Sequence, residues 1–169
     1  KLYEDRIQDL AMKMEEEGLS HVLVYGDREH FANLEFLTGY DPRFEESLLI
    51  ISEDKEKPLL LVGNEGLDYS QIAKPVVEID LYQPFSLQGQ PRDKKTNLKK
   101  IIRDAGIKKS SKVGLIGYKY RSSGEFDNPA LYSDVPSYIV DVLREITSSE
   151  RVLDITKWMT HHSEGMRVP

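Results

Sequence analysis

The chain contains no cysteine. That absence excludes a disulfide framework, thiolate zinc sites, thiol nucleophiles and redox pairs. No apolar run approaches the roughly 20 residues needed to cross a bilayer, and the opening residues from Lys1 are polar and helical in pattern, with no apolar signal core. The expectation is a cytoplasmic protein that makes no membrane contact. Gly114 and Gly117 lack the G-x-G-x-x-G spacing of a dinucleotide fingerprint, so no nucleotide site is expected. Histidine is scarce: His21, His30 and the adjacent pair His161 and His162 are all there is. Helix neighbours point about 100° apart, so the pair cannot chelate one ion in the i, i+4 manner and reads as a charged helix end. Glu45 and Glu46 are adjacent in an extended segment, which sends them to opposite faces. One should be solvated and one partnered, which is wrong for paired acid and base work. Ser122 and Ser123 lack the strand-to-helix turn of a hydrolase nucleophile elbow. No catalytic residue and no metal ligand is assigned.

What is present describes one folded unit. At 169 residues, with 39 % hydrophobic and 31 % charged residues, the chain can bury a core without a metal or disulfide staple. The formal net charge of -6 is uneven, since Arg92 to Lys112 carries nine Lys or Arg against two Asp or Glu. That stretch still keeps a clean apolar face, Leu98, Ile101, Ile102 and Ala105, with Gly106 as a stop. Its lysines therefore lie on a solvated side, and without interleaved aromatic residues no nucleic-acid partner is expected.

Periodicity gives the elements in order. Tyr3 to Glu17 reads as an amphipathic helix through Ile7, Leu10, Ala11 and Met14, stopped at Gly18. His21 to Gly26 is a β-branched strand, and Leu48 to Ser52 and Pro58 to Val62 form a hairpin around the polar loop Glu53 to Lys57. Asn64 to Ala73 reads as a short helix and Pro75 to Tyr82 as a half-buried strand. Gln83 to Lys95, with Pro84, Gly89 and Pro91, is an ordered surface loop of a kind that is often functional. The basic helix then leads to a strand at Lys112 to Tyr118. Pro136 opens a helix with Ile139, Val142, Leu143 and Ile146 inward, and Arg151 to Ile155 is the last apolar stretch. This order predicts an α/β sandwich with a mixed sheet of about five to six strands.

One stretch, His30 to Tyr40 (HFANLEFLTGY), joins the first strand to the surface. Asp27 is placed to cap a helix carrying Phe31, Leu34 and Phe36 or Leu37 at helical spacing, and Gly39 stands where a left-handed cap is wanted. Neither capping nor core packing accounts for Asn33. The set Asn33, Phe36, Leu37, Thr38 and Gly39 resembles the N-x-x-[YF]-L-T-G signature in the amino-terminal domain of the creatinase, aminopeptidase P and prolidase family. The helix with Arg6, Leu10 and Met14 ending at Gly18 is similar to the start of that domain. Ser47 to Ile51, Pro58 to Gly63, Val113 to Gly117 and Asp154 to Arg167 look like its later strands and its exit.

The resemblance implies a three-layer α/β/α sandwich over residues 1–160, with 161–169 beginning a linker to a catalytic domain that this chain lacks. In the family that domain holds two divalent metal ions with two Asp, one His and two Glu, none matched here, so no cofactor is expected in this chain. It implies a front domain, inactive alone, of a Xaa-Pro aminopeptidase or Xaa-Pro dipeptidase. Its partners would be its own catalytic domain, a second copy in a homodimer and the parent's peptide substrate. Creatinase-like amidinohydrolases share the same front domain, and position 36 is Phe where Tyr is common, so the parent's substrate stays open. A stand-alone peptide- or protein-binding module is the alternative.

Two surface groups are candidates for function. Tyr40, Arg43 and Phe44 would gate a neighbouring subunit's cleft, the guanidinium forking onto a substrate carboxylate beside rings that exclude water. The plainer and preferred reading pairs Arg43 with Asp41 or Glu45 on the surface and puts Phe44 in the core. Asp27, Arg28, Glu29 and His30 stand at the carboxyl end of the first strand, where open α/β sheets bind ligands, with capping and ion pairing as the preferred alternative.

Overall fold

A computed structural model describes residues 1–168. The helix α1 (Leu2–Glu17) ends at Gly18, whose φ of 70° is the left-handed cap anticipated for it. The strand β1 (His21–Gly26) follows, then α2 (Ala32–Thr38), β2 (Ser47–Ser52) and β3 (Leu59–Val62). A short helix α3 (Gly66–Tyr69) runs into the 3-10 turn Ser70–Ala73 and leads to β4 (Glu78–Leu81). After the loop come α4 (Leu98–Asp104), β5 (Val113–Ile116), α5 (Ser137–Ile146), β6 (Val152–Asp154) and α6 (Lys157–Thr160).

The six strands form one mixed sheet in the order β4-β3-β2-β1-β5-β6. β2 runs antiparallel to both β1 and β3, while β1 with β5, β3 with β4, and β5 with β6 are parallel. The hairpin read from the polar loop at 53–57 supplies the antiparallel centre.

Strand side chains alternate between faces, and here both faces are dry. Val22, Val24, Leu49, Ile51, Leu60 and Val62 pack with Leu10, Met14, Leu34, Leu37, Trp158 and Met159 in one core. Leu23, Leu48, Ile50, Leu61, Val113 and Leu115 pack with Ile102, Ile139, Leu143 and Phe85 in the other. Helices α1, α2 and α6 thus cover one face and α4 and α5 the opposite face, giving three layers. On α5 Ile139, Leu143 and Ile146 are buried as expected, Val142 is half-buried against the same core, and Val140 is buried beside them. Among the described residues no helix is long and apolar enough to cross a membrane.

Polar groups at the sheet's margins are tied in. His21 is buried between the Ser20 hydroxyl (2.7 Å from Nδ1) and the Ala105 carbonyl (2.8 Å from Nε2), and burial pushes its pKa down. A neutral ring with Nε2–H donating to the carbonyl and Nδ1 accepting from Ser20 satisfies both contacts.

Gly114 needs its missing side chain for packing. A Cβ there would stand 2.7 Å from Ile155 Cδ1 and 2.9 Å from Leu19 Cδ1, two buried core side chains that would have to shift. Gly114→Ala is therefore expected to lower unfolding free energy by about 1–3 kcal/mol in urea titrations, with the far-ultraviolet spectrum retained. An unchanged midpoint would show that the core yields at no cost.

Candidate functional site

The residues resembling a family signature act first as a structural clamp. α2 starts at Ala32, four residues later than a cap at Asp27 requires. Asp27 caps a turn instead: its Oδ1 accepts from the backbone N–H of Glu29 (3.0 Å) and His30 (2.8 Å). That tight local closure satisfies the side chain before a helix can begin.

Asn33, one residue into α2, is 5 % exposed and reaches across the fold. Its Nδ2 donates to the Gly117 carbonyl at 2.8 Å, and its Oδ1 accepts from Arg167 at 2.8 Å. Leu37 is in the core, and the Phe36 ring lies 3.8 Å beneath the Arg6 guanidinium, which also donates to the Phe36 carbonyl. The Thr38 hydroxyl donates to the Leu34 carbonyl and accepts from the Tyr40 N–H, turning the chain out of the helix. Gly39 then takes a φ of 78°, where a Cβ would also meet the Tyr3 ring at 3.1 Å. Each signature position thus has a mechanical duty.

Gly117 is held from both sides. Its N–H donates to the Thr156 hydroxyl at 2.9 Å, and that hydroxyl donates in turn to Asp154 Oδ1 at 2.8 Å. A Cβ on Gly117 would overlap the Asp134 carboxylate, which accepts from the N–H groups of Tyr118 (2.8 Å) and Lys119 (2.7 Å). Burial pushes the Asp154 carboxyl up to about 6, and Asp134 adds repulsion, against the pull of the Thr156 N–H and O–H.

The loop that follows α2 departs from both earlier readings. Tyr40 is 1 % exposed and its hydroxyl sits under Gly66, so it belongs to the core and cannot stand at a surface mouth. Arg43 and Phe44 do reach the surface. Arg43 adopts a φ of 60°, a left-handed conformation uncommon outside glycine, with its N–H on Asp41 Oδ1 at 2.8 Å. Its guanidinium forms no ion pair with Asp41 or Glu45 and lies 4.5 Å over the Tyr69 ring. Phe44 is 53 % exposed rather than in the core, with Arg28 at 5.7 Å from its ring.

Both neighbouring glutamates are partnered, where one was expected to be solvated. Glu45, 2 % exposed, accepts from the N–H groups of Glu65 (3.1 Å) and Gly66 (2.8 Å). Glu46 Oε1 accepts from Tyr25 (2.6 Å) and Tyr138 (2.7 Å). Burial first and the Glu46 bond second push both phenols well above their ordinary pKa. Residues 42–46 are therefore pinned at one end and display a cation and an aromatic ring at the other.

The remaining candidates bring no chemistry together. The His161 and His162 rings lie 4.4 Å apart at the end of α6. Ser122 donates to Glu125 on the surface, and among the described residues no group of three or more His, Asp or Glu could hold a metal ion. In the basic stretch Lys94, Lys99 and Lys100 pair with Asp80, Glu145 and Asp104. The loop 83–95 is ordered by Arg92, which donates to the carbonyls of Gln83 and Ser86.

Comparison with known proteins gives the family model described as Creatinase/Prolidase N-terminal domain over residues 6–127. No curated protein matches the chain in sequence. Among solved structures, a proline dipeptidase from Streptococcus agalactiae 2603V superposes with a TM-score of 0.59 at 15 % identity, covering 91 % of this chain and 95 % of that one. An aminopeptidase P, Xaa-Pro aminopeptidase from Streptococcus thermophilus gives 0.55 at 18 %, with 94 % and 95 % covered. A Xaa-Pro dipeptidase from Bacillus anthracis gives 0.57 at 9 %, and there the chain, 92 % covered, spans only 34 % of the other. At these identities the likeness is one of fold.

Two variants test the clamp. Asn33→Asp keeps the acceptor for Arg167 and removes the donor to Gly117, so it is expected to cost about 1–3 kcal/mol of stability at neutral pH. Undiminished stability would mean the Gly117 carbonyl finds another donor. For Asp154 the folded pKa of about 6 lies above its unfolded value of 3.8, so the folded chain holds the proton more tightly. This group's contribution is full below pH 3.8 and is lost as pH rises to about 6. The loss is on the order of 3 kcal/mol. Asp154→Asn should remove that downward slope, while the opposite slope from His21 is common to both proteins. Parallel stability–pH curves for the two would contradict it.

Proposed function

Because the chain belongs to the Creatinase/Prolidase N-terminal domain family, we propose that it is the non-catalytic front domain of a metal-dependent Xaa-Pro aminopeptidase or Xaa-Pro dipeptidase. In this reading it joins a second copy and gates that copy's catalytic cleft through Arg43 and Phe44. The observation that carries it is the loop 42–46: an arginine in a left-handed backbone conformation, stacked on Tyr69 and without a carboxylate partner among the described residues, beside a half-exposed phenylalanine. Holding an arginine in that conformation costs about 1–3 kcal/mol, and the buried carboxylate of Glu45 anchors the loop that imposes it. A preset cation beside an aromatic ring suits recognition of a peptide carboxylate, since little freedom is lost on binding.

Tyr40 supports the loop from below and takes no part in contact. The two divalent ions such a peptidase uses are assigned, in the same reading, to residues of a catalytic domain outside this chain. Bound there, they would serve to activate water, and in this reading the front domain supplies orientation and exclusion of solvent at the mouth. The linker beginning near residue 161 and a cytoplasmic setting are parts of this proposal.

In the full-length native protein, Arg43→Ala should raise KM for Xaa-Pro peptides by about 10-fold or more, the loss of charge-assisted hydrogen bonds worth roughly 1.5–3 kcal/mol. Arg43→Lys should recover only part of it, because an ammonium lacks the planar fork. The melting temperature should not move with either. An unchanged KM would remove the gating role, and cleavage of Xaa-Pro peptides by the 169-residue chain alone would remove the front-domain reading.

A further inference from the structure

The chain leaves β1 towards the face covered by α2 and leaves β5 towards the face covered by α5. The connections that leave these two parallel neighbours therefore diverge at the strands' carboxyl ends, the place where open α/β sheets bind ligands. A cavity of about 480 Å³ lies there. Its size falls in the range of small-molecule sites. Its walls include Phe31, Tyr118 and Tyr120, with His30 against Tyr118 at 4.2 Å between ring centroids.

The charges around this crevice divide into spent and unspent groups. The backbone amides at both strand ends already hold carboxylates: Asp27 takes those of Glu29 and His30, and Asp134 takes those of Tyr118 and Lys119. Those four amides are therefore taken before an anion arrives. Two lining cations remain, Lys119 and Arg167, and neither forms an ion pair among the described residues. Arg167 spends one N–H on Asn33 Oδ1, which orients the guanidinium while leaving its other donors. The single lining carboxylate, Glu29, is exposed and lies 3.8 Å from Arg28.

We propose that the crevice between β1 and β5 binds a small organic anion. Lys119 and Arg167 meet its carboxylate or phosphate head, and Phe31, Tyr118 and Tyr120 cover a ring-sized apolar body. This site is separate from Arg43 and Phe44 and does not depend on their role.

Titration of the ¹⁵N-labelled chain with benzoate, phenyl phosphate, benzamide and inorganic phosphate tests the assignment. Benzoate or phenyl phosphate is expected to give saturable shifts at Gly117, Tyr118, Lys119 and the Asn33 side-chain amide, and the tighter of the two identifies the head group. Benzamide and inorganic phosphate should each bind about 10-fold more weakly or worse, lacking the charge or the ring. Lys119→Gln, at an exposed position, should weaken binding by about 10-fold without moving the melting temperature, and Arg167→Gln should weaken it by about as much. Ala32→Trp, exposed at the crevice, should block it. Absence of saturable shifts with both ring-bearing anions, benzamide or inorganic phosphate binding equally well, or variants that bind as the native chain does would overturn the assignment.

Discussion

The backbone of Gly117, its N–H and its carbonyl, is where this fold is tied. It lies one residue past the end of β5, where the ladder of strand hydrogen bonds has run out, yet it is buried. A buried amide or carbonyl without a partner costs about 1–3 kcal/mol. The chain meets both needs with side chains from distant elements, Thr156 for the N–H and Asn33 for the carbonyl. Asp154 fixes the Thr156 hydroxyl so that it accepts from Gly117, and Arg167 occupies the far side of the Asn33 amide. Only glycine fits, because Asp134 stands where a side chain would go.

That knot sets the rest of the surface at this end of the sheet. With Asn33 fixed, the axis of α2 is fixed, and Thr38 and Gly39 turn the chain at a defined point into the loop of Arg43 and Phe44. Glu45 and Glu46 then clamp the far end of that loop on α3 and on Tyr25 and Tyr138. The crevice between β1 and β5 shares the same residues, since Asn33, Gly117 and Arg167 all line it. Family-like residues therefore act as framework, and the groups free to meet a partner are their neighbours.

Much of this was legible in the sequence because it is local. The β-branched run at 21–26, the polar loop at 53–57 and the glycines at 18 and 39 each state their structure within a few residues, and the mixed three-layer sheet follows from their order. What was not legible depends on partners far away. Asn33 meets Gly117 across 84 positions and Arg167 across 134, so helical spacing around it carries no trace of its duty. Tyr40 resembled a surface aromatic in a polar loop, and only the cradle of Gly66 and Glu45 shows it to be core. Tyr69 under Arg43 is 26 residues on, in a helix whose own pattern gave no hint of it. Periodicity also placed the start of α2 too early, since Asp27 found a nearer use.

A double-mutant cycle between Asn33→Ala and Thr156→Val, measured by urea unfolding, tests most directly whether the Gly117 knot acts as one unit. The two side chains hold the two peptide groups that flank the Gly117 Cα, so losing one should let the residue shift and leave less for the second change to remove. A coupling energy of about 0.5–3 kcal/mol is predicted. Additive losses, within about 0.5 kcal/mol, would contradict it and reduce the knot to two unrelated hydrogen bonds.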